Sequence, residues 1–127
     1  MKKIKLFENF LNESKRELKE FCDINLAYLI DEDFDISIST FPGGYIINFS
    51  RERGFIWNEI TDQFIPFLER LSNDYTFDLA MISFNERFPQ SHESKMVRPQ
   101  SLMNHEVMLD FLGDTLLRKI MIRIIPK

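Results

Sequence analysis

The chain has 127 residues, 44% of them hydrophobic, the size of one domain with enough apolar side chains to bury a core. Its formal net charge of −4 provides no surplus of cations to neutralise phosphates, which argues against nucleic acid as a partner. No stretch comes near the ~20 apolar residues that span a bilayer, so the composition excludes a membrane-spanning helix.

Phe7, Phe10, Leu11, Leu18, Phe21 and Cys22 recur at spacings of three, four and seven with charged residues between them, which predicts an amphipathic helix. The run "INLAYLI" extends or follows it, and "DEDFD" ends it, because clustered like charges are unfavourable at the negative end of a helix dipole. Charge is uneven here: residues 1–19 hold six basic and three acidic side chains, whereas residues 20–35 hold six acidic and no basic ones.

In "FDISISTF", Phe34, Ile36 and Ile38 alternate with Asp35, Ser37 and Ser39, the period of a half-buried strand. "PGG" follows, with a fixed φ at Pro42 and two residues that tolerate positive φ, and "YIINFS" is again β-branched and aromatic. A β-hairpin over about 34–50 is the expectation. Next, Ile60, Phe64, Phe67, Leu68 and Leu71 share one helical face, with Pro66 either kinking that helix or marking a regular part that begins near Phe64.

"YTFDLAMISF" reads as a third strand with Phe77, Leu79, Met81 and Ser83 on one face. Residues 85–100, with two prolines and no steady period, read as a long loop. "SLMNHEVMLDFLGD" reads as a short helix stopped at Gly113, and "LLRKIMIRIIPK" as a central fourth strand in which Ile120, Ile122 and Ile124 share a face. The expected fold is α+β in the order α-β-β-α-β-α-β: a four-stranded, mainly antiparallel sheet with helices packed on one face. One domain spans 1–127, its helical segment over 1–30 and its sheet and helices over 31–127.

Side chains able to carry chemistry are few. Cys22 excludes an internal disulfide framework, fits a reducing, intracellular setting, and reads as a buried structural thiol. His92-Glu93 and His105-Glu106 match no metal spacing, and no cofactor signature is present. "DEDFD" holds Asp31, Glu32, Asp33 and Asp35 but lacks the glycine and distant glutamate of an EF-hand loop, so it reads as a solvated connection. Arg51 and Arg53 beyond the hairpin, with Arg87, His92, Lys95 and Arg98 in the long loop, are the candidate binding residues for an anion, although Glu52, Glu86 and Glu93 lie among them. No serine occupies a G-x-S-x-G elbow, and two histidines leave little choice of base, so a non-enzyme is expected.

The segment "LFENFLNE" resembles the short N-terminal segments of proteins encoded by T-even-like tailed phages, in which a lysine start, aromatics and an aliphatic residue precede a glutamate. In internal head proteins of those phages such a segment targets the capsid and is cut after Leu or Ile, any residue, then Glu. The resemblance implies that Phe7 and Phe10 are anchoring aromatics, that Leu11-Asn12-Glu13 is the triplet, and that cleavage follows Glu13. Leu18-Lys19-Glu20 and Ile30-Asp31-Glu32 satisfy the same triplet, and an amphipathic first helix accounts for the same residues.

Together these readings lead to a small phage-like accessory protein in the host cytoplasm or the virion. It would act without catalysis or cofactor by binding a protein partner or further copies of itself, with neither membrane nor nucleic acid involved. The alternative is a small-ligand-binding or sequestering module, even an enzyme, built on the 85–100 loop.

Overall fold

A computed structural model describes residues 2–84 and 94–127, with side chains described from residue 14 onward. Helix α1 (Lys2–Asn25) and the short α2 (Ala27–Asp31) lead to strands β1 (Asp35–Phe41) and β2 (Gly44–Phe55). Helix α3 (Trp57–Leu71) then precedes β3 (Tyr75–Phe84) and β4 (Ser94–Val97). A 3-10 turn (Pro99–Met103), α4 (His105–Leu112) and β5 (Leu117–Pro126) complete the described chain.

The fold is α+β, and its sheet is antiparallel at every neighbouring pair. Among the described residues it has five strands rather than the four expected, in the order β1-β2-β5-β3-β4. The added strand is β4, which falls inside the stretch read as a loop. It pairs on one side only, Ser94 to Val97 against Ser83 to Ala80, and three of its four residues are exposed. An edge strand of that length buries no alternating row, so the apolar period on which strand reading depends is absent.

Hydrophobic alternation elsewhere translates directly into packing. Phe34, Ile36, Tyr45, Ile47, Phe49, Ile120, Ile122, Ile124, Ala80 and Ile82 are buried on one side of the sheet, against Ile60, Phe64, Phe67, Leu68 and Leu71 of α3 and Leu18 and Cys22 of α1. The rings of Phe34 and Phe49 stack at 4.7 Å and those of Phe49 and Phe64 at 5.2 Å, so sheet and helix share an aromatic seam. Helix α3 begins at Trp57 and runs on through Pro66. Gly113, at φ +53°, ends α4, its N–H donating to Leu109 O at 2.7 Å.

Strand β3 departs from simple alternation. Phe77 lies opposite Ile124 but Leu79 lies opposite Arg123, so Asp78 is an extra residue, a bulge. Phe77 therefore shares the core side with Ala80 and Ile82, whereas Leu79, Met81 and Ser83 point to the other side. This corrects the expected common face of Phe77, Leu79, Met81 and Ser83.

The hairpin turn needs glycine twice, for different reasons. Gly43 has φ +103° with open space around it, whereas a Cβ on Gly44 would lie 2.1 Å from the carbonyl oxygen of Ile124 and 3.0 Å from the Phe41 ring. Gly44→Ala must push β2 away from β5. Its expected loss is about 3 kcal/mol or more, and Gly43→Ala, which only strains the turn, loses about 1–2 kcal/mol. Urea midpoints of the two variants check the order; equal losses would show that the β2–β5 contact is slack.

Candidate functional site

Of the cations singled out from the sequence, Arg51 is largely taken up by contacts within the protein. It is 6% exposed, because β2 continues through "RERG" and turns the side chain inward. Its Nε donates to Gly54 O at 2.8 Å, Nη1 to Glu32 O at 3.4 Å, and Nη2 to the Glu59 carboxylate. Its guanidinium also lies 4.4 Å from the centroid of Phe34. Each guanidinium nitrogen donates once and the flat face is stacked, so Arg51 clamps α2, β2 and the start of α3 together.

Arg53 is exposed and lines a groove together with Ile30, Asp33, Phe34, Asp35, Arg51 and Glu52, so the structure brings Arg51 and Arg53 to one groove among three carboxylates. Lys95 and Arg98 lie at the opposite margin of the sheet. Lys95 faces Ile82, which faces Ile120, which faces Phe49. Three strand spacings of ~4.8 Å put β4 roughly 14 Å from β2. The structure thus keeps Arg51 and Arg53 apart from Lys95 and Arg98. Arg87 and His92 lie outside the described residues. Phe7, Phe10, Leu11 and Glu13 fall within the span of α1, whose backbone is helical from Lys2, and their side chains lie outside the description.

The other reactive groups are engaged in packing. His105 accepts at Nδ1 the indole N–H of buried Trp57, at 3.2 Å, which fixes the tautomer with its proton on Nε2. Burial among apolar neighbours pushes the Cys22 thiol up to about 12. Among the described residues no three His, Cys, Asp or Glu side chains gather as metal ligands.

Sequence reading missed the side of the sheet away from the core. There Ile46, Arg123 and Leu79 form one cross-strand row, and Asn48, Met121, Met81 and Met96 the next. None of these seven is buried, and Met96 is 67% exposed. A third row, Ser50, Lys119, Ser83 and Ser94, is polar, with the two serine hydroxyls 2.9 Å apart. Arg123 pairs with Asp78 of the bulge, so the bulge sets a salt bridge in this face. The core-facing isoleucines of β5 signal the buried side plainly; Leu79, Met81 and Met121 would have signalled the open side only with the bulge known.

The two sheet edges differ. At β1 the Lys19 ammonium of α1 donates to Ile36 O at 3.1 Å, so the helix closes on that strand. On β4 lie the exposed Met96 and Lys95, whose Nζ is 6.0 Å from the centroids of both Phe84 and the exposed Phe111 of α4.

Two outcomes follow from the buried groups. Glu59→Ala leaves the Arg51 guanidinium short of its charged acceptor; because Glu59 is 42% exposed, the expected cost is about 1–2 kcal/mol in urea unfolding. For Cys22, folded and unfolded chains both keep the thiol proton below about pH 9; as pH rises from 9.0 toward 12 the unfolded chain loses a proton that the folded chain retains. Between pH 8 and pH 10 the protein is therefore expected to lose about 1 kcal/mol more stability than its Cys22→Ala variant. A thiol reagent should label Cys22 only on unfolding.

No protein-family model matches the chain, no curated protein matches it, and no solved structure matches it.

Proposed function

We propose that the protein works by binding another macromolecule, without catalysis, and that its contact surface is the sheet face opposite the core. The observation that carries this reading is a pair of neighbouring cross-strand rows in which Ile46, Leu79, Met81 and Met121 are half-buried and Met96 is exposed, apolar side chains on four adjacent strands with Arg123 and Asn48 among them. Flexible methionines suit such a surface, because they repack against a partner at small cost in strain. The resemblance of "LFENFLNE" to phage N-terminal segments supplies the setting: a phage-like accessory protein in the host cytoplasm or the virion. Under it, Phe7, Phe10, Leu11 and Glu13 are the targeting and processing residues.

Size limits the contact. Five strands at ~4.8 Å and six residues at ~3.3 Å give a face of roughly 24 by 20 Å. That is below the ~800 Å² per partner of a standard interface, so a stable contact has to continue past an edge of the sheet.

The experiment is a comparative pull-down from infected cells with the full chain and with a Met81→Ser, Met121→Ser variant, alongside light scattering for self-association. Wild type is expected to recover a partner, or to form a defined oligomer, that the variant loses by tenfold or more while its thermal unfolding stays cooperative. A wild-type protein that is monomeric and recovers nothing would sink the reading.

A further inference from the structure

Resting on that binding reading, we propose that the outer edge of β4 is a strand-addition site. Its occupant would be an extended segment of a partner protein that alternates aliphatic and carboxylate side chains. Strand β4 ends the sheet, paired with β3 and with no other described strand. Its outer backbone groups are a template for one more strand, and main-chain hydrogen bonds would supply the affinity of such an addition.

Both faces of that template are already furnished. A strand laid along β4 would set its aliphatic side chains beside Met96 on the open face and its carboxylates toward Lys95 on the helical face, where the Lys95 side chain reaches Phe111, one helical turn after Val107. Met96, Val107 and Phe111 are all about half exposed or more, which is uncommon for such side chains grouped at one margin. At the opposite edge Lys19 of α1 already occupies one acceptor of β1, the Ile36 carbonyl. The site also extends the open face past its margin, as the area of that face requires.

Charge selects the occupant. Residues 94–98, "SKMVR", carry Lys95 and Arg98, both exposed, and no carboxylate. A second copy pairing edge to edge would bring two such segments together, opposing four cations, whereas glutamates or aspartates on an added strand would meet Lys95 directly across the pair.

The test uses the full chain and three nine-residue peptides: one alternating valine and glutamate, its valine–lysine counterpart, and the glutamate peptide with its central valine replaced by proline. The glutamate peptide is expected to shift the amide resonances of Ser94–Val97 and of Val107 and Phe111. It should bind at least tenfold more tightly than either control, and lose at least tenfold in Lys95→Glu and in Met96→Asp. Both positions are exposed, so an unchanged amide spectrum of each free variant checks its fold. Equal binding of the glutamate and lysine peptides, no binding at millimolar peptide, shifts confined to β1 or to the centre of the open face, or a homodimer abolished by Met96→Asp would each overturn the site. Such a failure leaves the open-face reading standing, because that reading is judged separately by the Met81→Ser, Met121→Ser pull-down.

Discussion

The sheet depends on the insertion of β5 between β2 and β3. Without it the strands would be two separate hairpins, β1–β2 and β3–β4, since β5 is the only described strand that pairs with both. Ile120, Ile122 and Ile124 carry the insertion, each exposed by 1% or less, lying between Tyr45, Ile47 and Phe49 on one flank and Phe77, Ala80 and Ile82 on the other. Burying such side chains stabilises by roughly 1.5–3 kcal/mol each relative to exposure, but only once the chain has closed a long loop. The central strand is last in the described order, so the sheet is built from non-local pairings, a topology that folds slowly.

The same insertion explains why a cation can be buried at the far end of β2. Register between β2 and β5 shifts between Ser50 and Phe55, where Gly54 takes φ +81°. Alternation after Phe49 already points Arg51 to the core side, and the irregular stretch that follows brings the Gly54 carbonyl round to accept from it. Alone, a buried guanidinium would be costly; here Phe34 stacks beneath it, Glu59 pairs with it, and the carbonyls of Gly54 and Glu32 accept from its Nε and Nη1. Glu59 accepts in addition from the Ile56 N–H at the start of α3, so one carboxylate fixes both the helix start and the arginine.

What could be read in the sequence was whatever repeats a period. Phe34, Ile36 and Ile38, the turn at "PGG", the helical face of Ile60 to Leu71, and the isoleucines of β5 are local patterns whose physical cause lies within the same few residues. Non-local features were illegible. Nothing in "YTFDLAMISF" marks Asp78 as an extra residue, because the bulge exists only relative to Ile124 and Arg123. Nothing in "RERG" distinguishes Arg51 from Arg53, because burial depends on where Glu59, Phe34 and Gly54 arrive. Strand β4 exists only because Ala80 to Ser83 offer it an edge. The open face inherited all of these blind spots, since its composition follows from the bulge and from β4.

The packing of α1 divides the helix at the proposed cleavage triplet, because its described contacts with the core all lie after Glu13. Leu18 and Cys22 are buried, and the Phe21 ring lies 5.7 Å from that of Phe67, so the half of α1 after Glu13 is already part of the core. Lys19, in the same half, closes the β1 edge. A cut after Glu13 would remove the first half of a helix roughly 36 Å long but none of the residues that make these contacts. A cut after Glu20, at the second matching triplet, would instead remove Leu18 and Lys19, exposing the core and unguarding an edge. The contacts of Leu18, Lys19, Phe21 and Cys22 all fall after the first triplet, and the second runs through two of these residues, Leu18 and Lys19.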